Sequence, residues 1–162
     1  MQTVMPQEVK SAVVLACGNA LRGDDGVAWA IGSEIERSIV EQSLPYVEVE
    51  VIFTQQLLPE HGDKLSRTDL AIFIDCSVIV GPGKVSAVPI RAAERLPHIF
   101  THHLDPPSLL GLTQHLYGRV PLRAVSITVG GQSFALSEKL SKPAADAIPM
   151  AKAAVCAMLL AQ

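Results

Sequence analysis

Apolar and polar positions alternate along this chain in two periods, and the switches between them mark out its elements. Residues 12–17, Ala-Val-Val-Leu-Ala-Cys, are a continuous apolar run closed by Gly18 and Asn19, which predicts a central strand buried on both faces. From Gly26 to about Ser43, Val27, Ile31, Ile35 and Ile39 recur every fourth position with charged residues between them, the stripe of an amphipathic helix. Residues 46–53 alternate valine with glutamate, the period of a strand with one wet face near a sheet edge. Residues 55–65 are a weaker helical candidate, and 69–76 form a second apolar strand that carries Asp75 at its end.

Gly81-Pro82-Gly83 predicts a turn, and residues 84–90 a strand returning antiparallel, because the connection is too short for a helical crossover. Asp105 and Pro106 open a helix lined by Leu109, Leu112 and Leu116, which stops at Gly118. Residues 122–129 alternate as another strand, Gly130-Gly131 breaks it, and 142–160 form an Ala-rich helix capped by Ser141 and kinked at Pro149. Strands and helices alternate from end to end. That pattern predicts a single α/β domain over residues 1–162, a three-layer α/β/α arrangement with a mostly parallel, mixed sheet of about five strands.

With 49% hydrophobic and 18% charged residues, the composition excludes a disordered chain. Continuous apolar runs fall short of the roughly 18 to 20 residues of a membrane span, so membrane insertion is not expected. Thirteen basic against 16 acidic residues, with no basic stripe, speak against nucleic acid as a partner. The first eleven residues lack the basic start and apolar centre of a secretory signal, and a cytoplasmic setting is expected. Cys17, Cys76 and Cys156 are an odd number without CxxC spacing and read as buried, inert, reduced thiols.

In open α/β sheets, ligands sit beyond the carboxyl ends of the strands. Two such ends carry unusual residues. The loop Gly18-Asn19-Ala20-Leu21-Arg22-Gly23-Asp24-Asp25-Gly26 lacks the GxGxxG spacing of a dinucleotide site, and its two acids would repel a pyrophosphate. One of them is enough to cap the helix, a role worth about 1 kcal/mol, for which Asp24 is the better placed. Asp75 leaves its strand at the same edge, where burial requires a cation or hydrogen-bond donors, unless it is solvated or caps a turn. His102 and His103 precede the next helix. Neutral imidazoles are metal ligands, but adjacent side chains diverge, so at most one of the two would ligate. Two carboxylates and one imidazole would make an incomplete first shell for a transition metal, with positions open to water or substrate. Cys76 neighbours Asp75 in sequence, yet the two point to opposite faces of their strand.

The pattern Gly18-Asn19-x-Leu21-x-x-Asp24-Asp25-Gly26 after an apolar strand resembles the signature loop of the [NiFe]-hydrogenase maturation endopeptidases. The likeness extends through Phe73-Ile74-Asp75-Cys76 with Gly81-Pro82-Gly83-Lys84-Val85, through Thr101-His102-His103-Leu104 with Leu109, Leu110 and Leu112, and through Val129-Gly130-Gly131 to the last helix. It departs at Ala28 and Gly131, where the family often has a glycine and an apolar residue respectively. The resemblance implies an endopeptidase that removes the C-terminal extension of a hydrogenase large-subunit precursor once nickel has been inserted. Asp25, Asp75 and His102 then match the family's metal-ligating and catalytic positions, with His103 as the alternative to His102. Nickel would be supplied by the substrate precursor, and another transition metal could occupy the site in vitro. Competing readings of the same residues are a noncatalytic small-molecule or nucleotide-binding module and a nickel-sensing chaperone.

Overall fold

The computed structural model describes residues 9–41, 48–95 and 104–161. Five strands form one sheet: β1 (Ser11–Cys17), β2 (Glu48–Thr54), β3 (Leu70–Ser77), β4 (Val85–Pro89) and β5 (Arg123–Gly130), in the order β2-β1-β3-β5-β4. All neighbouring pairs are parallel except β4 with β5. The apolar runs of β1 and β3 lie side by side in the interior, and the alternating Glu48–Thr54 run is an edge strand, as its wet face requires. β4 returns antiparallel, as the short Gly-Pro-Gly connection requires, but not as the expected neighbour of β3: β5 lies between them and is the strand it pairs with.

Four helices cover the two faces. On one side α1 (Val27–Val40) and α4 (Lys142–Leu160) pack on Val14, Ile72, Ile74 and Ile127. On the other, α2 (His61–Ser66) and α3 (Pro106–Tyr117) cover Val13, Leu15, Ala71 and Phe73 through Leu65, Leu109 and Leu110. Period two in the strands assigns consecutive residues to different layers, and each fully buried aliphatic side chain contributes roughly 1.5 to 3 kcal/mol. Trp29 on α1 fixes the end of β2, with its Nε1 donating to the Thr54 carbonyl at 3.3 Å and its ring 5.5 Å edge-on from Phe53.

Some boundaries differ from the sequence reading. Only His61–Ser66 of the 55–65 segment is helical, because the chain before it is held by other bonds: Thr54 Oγ1 donates to the Gln56 carbonyl, and Leu58 N–H donates to His61 Nδ1 at 2.9 Å. Helix α1 ends at Val40, earlier than Ser43, and α3 stops at Gly118 in the left-handed conformation, φ 69°. Asp105 caps α3 by accepting from Ser108 N–H at 2.8 Å, and Ser141 caps α4 through Ala144 N–H. By length and composition α4, 19 residues with a mean hydropathy of 1.4 over its most apolar window, meets the requirements of a membrane span although it holds no unbroken apolar run of that length. In the fold, its Ala144, Ala147, Ala151, Val155 and Leu159 form one wall of the core.

Helix α4 runs through exposed Pro149, which leaves the Ala145 carbonyl without its helical N–H partner. Replacing Pro149 with Ala is expected to raise the unfolding free energy by about 1–2 kcal/mol, the helical gain being partly offset by a freer unfolded chain, as read from urea denaturation.

Candidate functional site

Connections from β1 run one way to β2 and then back across to β3, so the direction of winding reverses between β1 and β3. Loops diverge beyond the carboxyl ends of the two strands at such a point and open a crevice. Asp25 and Asp75 flank it. Behind β1 the chain turns sharply at Gly18, whose N–H donates to the Thr54 carbonyl at 2.9 Å. A side chain at Gly18 would place its Cβ 2.0 Å from the Asp25 carbonyl oxygen, so only glycine lets the loop fold back this far. Asn19 then braces the loop twice: its N–H donates to Asp25 Oδ2 at 2.8 Å, and its Oδ1 accepts from Leu21 N–H at 2.9 Å.

Asp75 continues the Ala71–Phe73 face of β3, on the same side of the sheet as Cys17 of β1. Cys17, Leu57, Phe73, Asp75, Leu104 and Pro106 are on the wall of a cavity of about 260 Å³. Asp75 Oδ1 is buried and has no hydrogen-bond partner among the described residues. Burial raises the Asp75 pKa above the usual carboxylate range, the charge of Asp25 adds to the rise, and a hydrogen bond from the Thr128 hydroxyl only partly opposes it. Asp25 itself faces an adjoining cavity of about 490 Å³ with Asn19, Arg22, Thr54, Gln55 and Gln56. A larger cavity, about 540 Å³, involves Pro89, Leu110, Pro121, Arg123 and Met158 near the start of β5. Among the described residues it is lined by no carboxylate, imidazole or thiol.

The cysteines depart from the expected full burial, since all three are free and only partly buried. Cys17 faces the Asp75 cavity, donating weakly to the Gln55 carbonyl at 3.7 Å. Burial, with the charges of Asp75 and Asp25, pushes its pKa up to about 11, so its thiol remains protonated at neutral pH. Cys76 packs into the opposite, α1–α4 side, and burial with the surrounding aspartates pushes it to about 12.

Asp24 does not cap a helix. The residue preceding α1 is Gly26, without a side-chain cap, and Asp24 and Asp25 lie in a 3-10 turn (Gly23–Gly26) before it. Asp24 has no solvent exposure, and its carboxylate gathers the loop between β5 and α4. Oδ2 accepts from Gln132 N–H (2.7 Å), Ser133 N–H (3.0 Å) and the Ser141 hydroxyl (2.7 Å), while Oδ1 accepts from Ser141 N–H (2.6 Å). Burial opposes its ionisation, yet these four bonds outweigh burial and hold its pKa below the usual range. The sequence signal was the pair of adjacent acids, one more than a cap requires. The neighbouring Gly130 is equally constrained, since a Cβ there would fall 1.9 Å from the Gly81 carbonyl oxygen.

His102 and His103 lie outside the described residues. Leu104, immediately after them, is on the wall of the Asp75 cavity. Among the described residues no three His, Cys, Asp or Glu side chains are grouped so as to hold a metal ion. The donor set nevertheless suits a cation. A positive charge between Asp25 and Asp75 would give the unpartnered Oδ1 a partner and relieve the repulsion between the two carboxylates.

No family model and no curated protein matches the sequence. Solved structures do match. The hydrogenase maturating endopeptidase HybD from E. coli is 21% identical, with 92% of this chain and 91% of that chain covered and a TM-score of 0.69. A hydrogenase 2 maturation peptidase from a Thaumarchaeota archaeon is 24% identical over 94% of this chain and 100% of that one, with a TM-score of 0.67. The [NiFe] hydrogenase maturation protease HycI from Thermococcus kodakarensis is 20% identical over 93% of each chain, with a TM-score of 0.64. At these identities the likeness establishes a shared α/β fold, including the five-stranded mixed sheet.

Two substitutions separate the neighbouring acids. Asp24→Asn turns an amide NH2 toward donors that need an acceptor, and should cost about 2–3 kcal/mol of stability. The wild-type contribution of Asp24 is complete above the unfolded carboxylate pKa of about 3.9 and is lost as pH falls through the lowered folded value. Urea midpoints from pH 7 to pH 3 should therefore fall less steeply in Asp24→Asn than in the wild type.

Asp75→Asn should behave in the opposite way. Its raised folded pKa means that ionisation opposes folding at neutral pH, and this opposition fades as pH falls through the folded value toward the unfolded one. The variant is expected to match or exceed wild-type thermal stability at pH 7, with the advantage disappearing below about pH 3.9.

Proposed function

We propose that this chain is a hydrogenase maturation endopeptidase, which removes the C-terminal extension of a [NiFe]-hydrogenase large-subunit precursor once nickel has been inserted. The observation that carries the reading is the pair Asp25 and Asp75, near enough at the switch point for the charge of one to act on the other, with Asp75 Oδ1 buried and without a partner among the described residues. The fold shared with proteins of that description over about nine-tenths of the chain supports it. The reading includes a cytoplasmic setting, in which the three thiols stay reduced.

In this reading Asp25, Asp75 and His102 would hold the nickel of the substrate, with His103 as the alternative imidazole. When bound, the ion supplies positive charge that polarises the scissile carbonyl or acidifies a water. Another transition metal would compete in vitro, since carboxylate and imidazole select weakly among divalent ions. The two aspartates divide the work. Asp25 is held in place by Asn19 N–H and orients the substrate. Asp75 is the general base, because burial and the charge of Asp25 raise its proton affinity above that of an ordinary carboxylate. Its carboxylate removes a proton from water as the oxygen adds to the carbonyl carbon, and returns that proton to the departing amine. Water is the nucleophile, because the Cys17 thiol beside Asp75 is held protonated.

Incubation of the purified chain with a nickel-loaded large-subunit precursor, followed by intact mass measurement, tests the reading. The wild type should shorten the precursor. Asp75→Asn and His102→Ala should lower the rate by about 100-fold or more while remaining folded, and His103→Ala should be tolerated. Full activity in Asp75→Asn would eliminate the mechanism. A chaperone that only senses nickel would bind the loaded precursor and leave its mass unchanged.

A further inference from the structure

The cavity of about 490 Å³ that Asp25 faces differs in kind from the largely apolar one beside Asp75. Asn19, Arg22, Thr54, Gln55 and Gln56 give it a polar wall. Among the described residues that line it, Arg22 is the one cation and Asp25 the one acid. The Arg22 side chain is exposed, and its guanidinium makes no ion pair or hydrogen bond among the described residues, Asp25 included. Arg37, Arg67 and Arg119 differ in this respect, each being paired with a carboxylate at 2.7 to 3.0 Å.

The backbone that carries Arg22 is fastened on both sides. Its N–H donates to the Asn19 carbonyl at 3.0 Å, and its carbonyl accepts from Asp25 N–H at 3.2 Å. Ser137 N–H donates to the Leu21 carbonyl at 2.9 Å and Gly23 N–H to the Ser137 carbonyl at 2.7 Å, a parallel bridge that holds Arg22 against the loop after β5. The guanidinium is therefore tethered to a fixed point beside Asp25, and only its side-chain rotamer remains to be set.

An unpaired guanidinium suits a carboxylate, because its planar fork of donors meets two oxygens at once. Asp25 does not supply them, since its Oδ2 accepts from Asn19 N–H. A cation between Asp25 and Asp75 would offset their charge and leave Arg22 as an uncompensated positive group on the wall of the crevice. We propose that Arg22 is a specificity-determining residue that binds a carboxylate side chain of the protein substrate, an Asp or Glu close in sequence to the bond that is cut. The proposal rests on the endopeptidase reading and deepens it by naming a substrate group. Continuity of the two cavities supports this ligand. Leu57 lines the Asp75 cavity while its neighbours Gln56 and Leu58 line the Arg22 cavity, so a chain cut beside Asp75 has its flanking residues within reach of Arg22.

Steady-state processing of a nickel-loaded precursor tests the assignment with Arg22→Gln. The control, Lys139→Gln, removes the same charge from an exposed residue after β5 that lines neither cavity. Arg22→Gln should raise KM by about tenfold with kcat within about twofold of wild type, the signature of lost uniform binding, at an unchanged unfolding temperature. The control should match the wild type. A second arm leaves the enzyme intact and changes each Asp and Glu of the precursor near the cleaved bond, in turn, to Asn or Gln. One such change should raise the wild-type KM by the same factor and add nothing further in Arg22→Gln, as expected for two groups that act as a pair. This arm carries the test alone if the Arg22 variant is unstable. An unaltered KM in Arg22→Gln, an equal rise in the control, or a scan in which no carboxylate matters overturns the role of Arg22 alone. No cleavage by the wild type overturns the endopeptidase reading and this role with it.

Discussion

A carboxylate withdrawn from water must be given donors by its surroundings, and Asp24 imposes that demand on three segments of this fold. Its four hydrogen bonds bind the 3-10 turn after β1 to the loop after β5 and to the first residue before α4. Each bond to a charged acceptor is individually worth about 1.5–3 kcal/mol, so the loops have little freedom to separate. The consequence reaches the neighbouring residue. Asp25 belongs to the same short turn, and its position in the crevice follows from the way Asp24 is tied down behind it.

The opposite environments of Asp24 and Asp75 separate a structural acid from a chemical one. Both are aspartates at the carboxyl edge and both pay for burial, but Asp24 is compensated by donors and becomes a stronger acid. Asp75 has an oxygen with no partner among the described residues and a nearby negative charge, and becomes a weaker one. A carboxylate left in that state has affinity for a proton or a cation, which makes Asp75 the candidate for chemistry of the two. Asp69 provides a further contrast. At the amino ends of β1 and β3 it accepts from Lys10 and Ser11 and pairs with Arg119, and it serves to close the far edge of the sheet.

Cys17 shows how proximity differs from participation. Its thiol shares a wall with Asp75, as would suit a covalent nucleophile, yet the same burial and negative charge that make Asp75 basic keep the sulfur protonated. One electrostatic environment therefore raises the proton affinity of the carboxyl and of the thiol together.

The architecture was legible in the amino-acid order because periodicity is local. The unbroken apolar runs of β1 and β3, the Val-Glu alternation of β2, the Gly-Pro-Gly turn before β4 and the Asp105 and Ser141 caps each declare themselves within a few residues, and layer order follows from burying them. Asp75 was legible as a candidate because an acid at the end of an apolar strand is costly wherever it goes, and Asp25 because two adjacent acids are one more than a helix cap requires. What only the tertiary structure decided depends on partners distant in sequence. Asp24 reads as a cap until residues 108 to 117 positions away supply its donors. Cys17 reads as core until β3 brings Asp75 beside it, and residues 55–60 read as helix until local side-chain bonds claim their backbone. Hydrogen-bond satisfaction and electrostatic coupling act through space, so neither is written in the spacing of residues along the chain.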